Sequence, residues 1–316
     1  MRVARREELP RFVEPMLATS APAPTGQRQA MEVKWDGIRA QLRFDGRTLR
    51  VRSRSGRDCT SEFPELDVIG ERLGARRLIL DGELVCFGAD GSPDFTALRA
   101  RVGRREGRVA ITARRRPVRL VAFDLLHLDG AAVRQLPYVR RRELLADLAL
   151  DCPALMVPRH FLDEGEALLA ATAEQGLEGV VVKRLDALYA EGRRSRSWIK
   201  IKHRRRERMV VTAWCEHPGG LPEFLLARRG GDGRLRPAGS ASVGLDTEGR
   251  GLLLAALEQH AQASRGRGRH RLRWAEPVIE VLVDAHGRDD GPVRDAVLRE
   301  IAWPQDEPAR AVRSAR

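Results

Sequence analysis

Along the first two-thirds of the chain, apolar and polar residues alternate in short runs with a period of two, cut by Gly, Pro and Asp-Gly steps. Met31, Val33 and Trp35 alternate with Glu32, Lys34 and Asp36. As an extended strand this places one lysine between two carboxylates on a single face. Gly37 then lets the chain turn and something approach the backbone closely, and Arg39 returns a fixed positive charge near the lysine. Residues 39–44 and 48–52 predict a hairpin about Asp45-Gly46. Phe63, Leu66, Ile69 and Leu73 share a helical face, which predicts an amphipathic helix over 62–73. A strand over 78–87 follows, with Asp81 and Glu83 on one face and Leu80 and Leu84 on the other. Acidic groups on so apolar a strand need partners: a metal, a sugar hydroxyl or a structural salt bridge.

Next come a short helix over 94–102, a strand over 120–128 ending at Asp129-Gly130, and helices over 140–149 and 163–175. Phe123 in that strand reads most simply as core. Residues 178–183 form a strand that opens on Glu178 and closes on Lys183. In 197–202, Ile199 and Ile201 face one way while Lys200 and Lys202 share the other face. Beyond the charged stretch 203–208, short strands at 209–214, 224–227, 235–242 and 278–283 surround one helix at 251–260. Such a domain fits a small closed barrel of the kind that often binds nucleic acid. Residues 265–271 form a basic loop within it.

Composition sharpens this picture at one point. Of 57 basic Lys and Arg residues only four are lysines: Lys34, Lys183, Lys200 and Lys202. An amine can lose its proton and attack, whereas a guanidinium stays charged. All four lie in apolar-flanked, strand-like segments, so their grouping points to chemistry that arginine cannot do. The net charge of +13 suits a phosphate-bearing partner. It is concentrated between Arg99 and Arg119, where nine arginines meet a single acid, Glu106. The four cysteines are scattered without metal-site or redox spacing. No apolar run approaches spanning length and no secretory signal opens the chain, so a cytoplasmic, nucleoid-associated protein without a membrane partner is expected.

These segments resemble, in order, the motifs of the covalent nucleotidyltransferase superfamily, and specifically its ATP-dependent DNA ligases. The segments are 32–39, Ser53-Arg54-Ser55-Gly56, Asp81-Gly82-Glu83, the strand about Phe123, 178–183 and 198–202. Pro15-Met16-Leu17-Ala18 and Gly192-Arg193-Arg194-Ser195-Arg196-Ser197-Trp198 are similar to the bacterial end-joining ligases. The resemblance implies an α+β fold. A nucleotidyltransferase (adenylation) domain of antiparallel sheets flanked by helices would span 1–203. A linker at 204–207, an OB-fold β-barrel over 208–305 and a disordered tail at 306–316 would follow. The short lead-in is expected to leave no room for a further DNA-binding domain.

The implied activity is nick sealing in duplex DNA with ATP, through a lysyl-AMP and then a 5′-adenylated DNA, in DNA repair. Lys34 would attack the α-phosphate, and Lys200 and Lys202 would stabilise the charge that develops there. The backbone near Glu32 would read adenine, with Phe123 stacked on it. Arg39, Arg54 and Glu83 would hold the ribose and the nick phosphate, and Arg194 would help place ATP. Glu178, assisted by Glu83, would bind Mg²⁺ or Mn²⁺. The role of Lys183 stays open, because strand alternation puts it opposite Glu178. The implied partners are nicked double-stranded DNA, with Ku and a separate repair polymerase, for a monomeric enzyme. One departure from the family pattern lies at Leu298-Arg299-Glu300-Ile301-Ala302, where a charged motif that contacts pyrophosphate is expected and only Arg299 fits. Slow self-adenylation is the expected consequence. The alternatives are an RNA ligase, an mRNA-capping nucleotidyltransferase, or a non-catalytic DNA-binding scaffold on a ligase fold.

Overall fold

The structure is a computed structural model that describes all residues except 1–4, 24–27, 104–105, 163–164, 218–219, 263–271, 287–290 and 303–316. The basic loop at 265–271 and the tail at 306–316 lie outside the described residues. The chain divides into two compact units, Met1–Lys202 and His203–Arg316.

In chain order the first unit contains β1 (Arg5–Arg6), β2 (Leu17–Ser20), β3 (Gln29–Val33), β4 (Ile38–Phe44), β5 (Leu49–Ser53), α1 (Val68–Leu73), β6 (Leu78–Cys86), α2 (Phe95–Arg99), α3 (Glu106–Arg115) and β7 (Val118–Leu128). It continues with β8 (Ala131–Ala132), α4 (Tyr138–Asp147), β9 (Leu155–Met156), β10 (Phe161–Leu162), α5 (Gly165–Glu174), β11 (Gly179–Arg184) and β12 (Arg194–Lys202). Two sheets result. One runs β1-β8-β7-β6-β4-β5 with β9 added on β7, and the other runs β10-β3-β11-β12-β2. Pairing is antiparallel except where β12 meets β2 and β7 meets β9. A large apolar core covers one face of the first sheet, from Leu42 and Leu80 to Leu66, Ile69 and Leu145. A smaller cluster of Val13, Met16, Ile79, Leu126, Tyr189 and Trp198 joins residues of both sheets.

The amphipathic stretch over 62–73 is not one helix. It is two 3-10 turns, Thr60–Glu62 and Pro64–Leu66, and then α1. Pro64 has no N–H to continue a helix through its own position. The apolar face survives the break, since Phe63, Leu66, Ile69 and Leu73 are all buried.

The second unit contains β13 (Arg205–Cys215), β14 (Glu223–Arg229), β15 (Leu235–Val243), α6 (Thr247–Gln259), β16 (Leu272–Trp274), β17 (Glu280–His286) and β18 (Arg294–Ala302). Its strands follow the order β14-β15-β18-β17-β13-β16, and β14 also pairs with β13, so the sheet curls back on itself. α6 closes the curl with Leu253 and Leu257 in the core. The expected linker at 204–207 is instead mostly strand: Arg205, Arg206 and Glu207 pair with Ala285, Asp284 and Val283. Their period-two alternation is carried by charge, met across the sheet by Arg206–Asp284 and Arg228–Glu207 ion pairs. A hydrophobic pattern does not reveal such a strand. β18 likewise falls where no strand was expected.

Candidate active site

The second sheet of the first unit presents three successive rungs on one face. Glu32 on β3 stands opposite Val181 on β11, which stands opposite Lys200 on β12. The neighbouring rung joins Ala30, Lys183 and Trp198. Lys34 lies just past the end of β3, where its N–H still donates to the Gly179 carbonyl at 2.8 Å, and Gly179 in turn pairs with Lys202. The first sheet contributes Arg39 and Glu83, which are register partners on β4 and β6, and Phe123 on β7. Between these walls lies a cavity of about 220 Å³, lined among others by Glu32, Lys34, Arg39, Arg54, Glu83, Phe123, Lys183, Arg194, Trp198 and Lys200. Of the expected site residues, Glu178 and Lys202 do not line it directly.

Those two pair with one another beside it, and Glu178 also with Lys34. Glu178 takes Lys34 Nζ on Oε2 and Lys202 Nζ on Oε1, the latter at 2.8 Å. Burial pushes the Glu178 carboxyl up, but Lys34 and Lys202 outweigh it and hold it below its ordinary pKa. Lys34 thus meets a carboxylate 144 residues away, while the oxygens of nearby Glu32 take Tyr138 and Lys183. Two glycines make this approach possible. A Cβ on Gly37 would sit 2.1 Å from the Leu84 carbonyl and 2.7 Å from Glu83 Cγ. A Cβ on Gly179, at φ +143°, would sit 2.0 Å from the Ile201 carbonyl. Any side chain at either position would force apart the strands that carry Lys34, Glu83, Glu178 and Lys202.

Glu83 is the most perturbed carboxyl of the site. Burial pushes it up to about 8 against the opposing pull of Lys34 and Arg39, with Glu178 and Asp81 adding to the rise. Glu83 and Glu178 lie close enough to repel one another, and two such neighbouring carboxylates suit a hard divalent cation whose remaining ligands come from a substrate. Among the described residues no three His, Cys, Asp or Glu side chains converge to form a complete protein cage.

The other expected residues divide. Asp81, fully buried, takes the structural alternative: it receives Arg39 Nε at 3.1 Å and Nη2 at 2.7 Å. Arg39 also donates to the Met16 carbonyl at 2.6 Å and to Tyr189 Oη at 3.2 Å, so four of its five N–H groups are committed. Arg194 donates to the Ala18 carbonyl at 2.5 Å, and exposed Arg54 closes the cavity rim. Phe123 is only partly buried and faces the cavity, which a pure core residue would not do.

Glu32 is present through its side chain as well as its backbone. It is buried, with one oxygen taking the Tyr138 hydroxyl and the other 2.5 Å from Lys183 Nζ. Lys183 is buried in turn against the rings of Trp198, Phe123 and Tyr138, at 4.4, 4.5 and 5.0 Å from their centroids. Burial lowers its pKa despite Glu32 and Asp124. Sequence reasoning missed Tyr138, Tyr189 and Trp198 as parts of this site. Only the scarcity of tyrosine, two in the whole chain, sets the first two apart.

The family model for the ATP dependent DNA ligase domain matches residues 15–202, which contain every one of these groups. The chain belongs to the ATP-dependent DNA ligase family. Residues 15–202 form the ligase domain, a nucleotidyltransferase-type fold of sheets and helices. The chain is 38% identical over 236 residues to the multifunctional non-homologous end joining protein LigD of Mycobacterium bovis, covering 73% of itself and 30% of that protein. It is 39% identical over 255 residues to a probable DNA ligase of Streptomyces griseus, covering 74% of itself and 49% of that relative. The chain thus spans 30% to 49% of the length of these curated relatives. Among solved structures it is similar to a mycobacterial DNA ligase D complexed with ATP and MES, at 31% identity and a TM-score of 0.55 over 94% of this chain and 97% of that one. A Lig E DNA ligase shares the fold at 19% identity and a TM-score of 0.61. None of the helices among the described residues is long and apolar enough to cross a membrane.

Proposed function

We propose that this chain seals nicks in duplex DNA with ATP, Lys34 being the residue that carries AMP. The observation that carries this reading is the Lys34–Glu178–Lys202 chain of ion pairs at one end of the cavity, with Lys200 on its wall. Glu178 is held as a carboxylate and orients the Lys34 amine. The Lys34 ammonium first gives up a proton to solvent, its neutral Nζ attacks the α-phosphorus, the bond to pyrophosphate breaks with pyrophosphate keeping the electron pair, and the nitrogen then loses a second proton to water. Lys200 and Lys202 stabilise the charge on the phosphate oxygens as point cations. Phe123 and the Glu32–Lys183 pair form the end of the cavity that takes the base, while Arg39, Arg54 and Arg194 face ribose and phosphate. Glu83 and Glu178 would hold Mg²⁺ or Mn²⁺, and a bound cation there would neutralise phosphate charge. AMP then passes to the 5′-phosphate of the nick, and the 3′-hydroxyl displaces it.

The second unit we assign as an OB-fold. The support is a curled sheet in which β13 pairs with both β14 and β17, capped by α6. Nicked double-stranded DNA is the proposed substrate, and bacterial end joining with Ku and a repair polymerase the proposed setting. A monomeric, cytoplasmic, nucleoid-associated enzyme fits that setting. Mass spectrometry of the chain after incubation with ATP tests the central step: an AMP adduct on the peptide bearing Lys34 is expected. Its absence, or an equal adduct from GTP, would refute the reading in favour of the scaffold or the capping enzyme. Sealing of nicked RNA in preference to nicked DNA would refute the substrate.

A further inference from the structure

We propose that Tyr189 is a positioning residue that aims the Arg39 guanidinium into the nucleotide cavity. This rests on the reading of that cavity as the ATP site. Arg39 has one uncommitted N–H, on Nη1, because Asp81, the Met16 carbonyl and Tyr189 Oη take the other four. The direction of that last hydrogen is set by what holds the rest. Asp81 fixes the plane of the guanidinium with two bonds. Tyr189 Oη then donates to Asp81 Oδ2 at 2.6 Å and accepts from Arg39 Nη2 at 3.2 Å, closing a three-membered network.

The tyrosine is itself rigidly placed. It is buried, its ring stands edge-on to Trp198 at 5.8 Å, and its backbone N–H donates to the Arg134 carbonyl at 3.1 Å. Burial first, and then Asp81, raise its hydroxyl well above the usual phenol range, so it remains a neutral donor. Its position in the chain matters as much as its bonds. Tyr189 lies in the connection between β11 and β12 of the second sheet, whereas Arg39 and Asp81 belong to the first. The hydroxyl thus ties the wall that carries Arg39 to the wall that carries Trp198 and Lys200. The Trp198 ring also lies 5.5 Å from Arg39 Cζ, and both residues line the cavity.

Tyr189→Phe removes the hydroxyl and keeps the ring. Lysyl-AMP formation by the full chain, measured against ATP concentration, should show KM raised about fivefold, the net worth of one hydrogen bond, with kcat within about twofold on the same scale. In an Arg39→Lys background, which lacks the forked guanidinium, Tyr189→Phe should raise KM no further. An unchanged KM in the first background, or the same increment in both, overturns the proposal and leaves Tyr189 as packing. If Tyr189→Phe does not fold, 3-fluorotyrosine at position 189 keeps the shape and alters the donated bond. A changed KM for ATP then supports the proposal, and an unchanged one overturns it. A wild-type chain that forms no adduct overturns the ATP-site reading and this proposal with it. An adduct with no Tyr189 effect overturns this proposal alone.

Discussion

Lys183 Nζ lies 2.5 Å from Glu32 Oε2, and both side chains are buried at the wall of the cavity. Removing one member of such a pair strands a charge in a low-dielectric site, at a cost of about 3–5 kcal/mol. Lys183→Met should fall at the lower end of that range, because Tyr138 still donates to Glu32. Urea unfolding checks it. The pair also has a pH signature. Burial lowers Lys183 below its ordinary 10.5, so the unfolded chain binds a proton that the folded chain releases earlier. Between the depressed folded value and 10.5, stability from this group therefore rises with pH. The wild type minus Lys183→Met difference in unfolding free energy should increase through that window. A flat difference would mean that Lys183 keeps its proton in the fold.

Lys34→Arg should keep the fold and lose ATP-driven sealing. The guanidinium can still pair with Glu178 but cannot act as an amine nucleophile. The loss should exceed about a thousandfold, as expected for removing a covalent nucleophile. Near-normal AMP adduct on the variant chain would place the attack elsewhere.

The arginines between 99 and 119 separate into two groups with different expected behaviour. Arg101 is buried against Glu65 and the Phe63 ring, so Arg101→Ala should cost about 3 kcal/mol of stability as a broken buried pair. Arg114, Arg115 and Arg116 are exposed at and just past the end of α3, with Arg116 paired to Asp94. Neutralising these three should leave stability nearly unchanged and flatten the log–log salt dependence of DNA binding by about 0.9 for each phosphate that is no longer neutralised. An unchanged slope assigns them to ordinary solvated surface.

The departure at 298–302 predicts a defect confined to the first step. Leu298 is buried in β18, and Arg299 donates to Asp284 at 3.0 Å, a carboxylate shared with Arg206. Lys34, Glu178, Lys200 and Lys202 all belong to the first unit and are unaltered by this departure. Self-adenylation should be slow, while a nick already carrying a 5′-adenylate is sealed efficiently. Restoring charge by Ile301→Asp with Ala302→Lys should raise the first rate, at some loss of stability, since Ile301 packs on the core of its unit. Single-turnover measurement of each step decides it. Fast self-adenylation in the wild type, with no gain from the double substitution, would show that another group orients pyrophosphate.

What the sequence determined by itself was local and periodic. Alternation with a period of two located β4 to β7, β11 and β12, because in-and-out burial along a strand depends only on neighbours two apart. The scarcity of lysine marked Lys34, Lys200 and Lys202, and chemistry separates an amine from a guanidinium without a fold. The tertiary structure decided the partners. Lys34 meets Glu178, 144 residues away, rather than Glu32 two residues away, because strand register, with Gly37 and Gly179 allowing backbone to touch, sets which side chains converge. The same register carried Lys183 to Glu32, and packing against Glu65 and Phe63 buried Arg101 out of the basic stripe it shares in the sequence. β13 began earlier than its hydrophobicity suggested because its first rungs are paired charges. Periodicity within one segment states which residues share a face. It holds no information about which face of which other segment they will meet, and that meeting supplies the pairs of Glu178 with Lys34 and Lys202, of Arg39 with Asp81 and of Lys183 with Glu32.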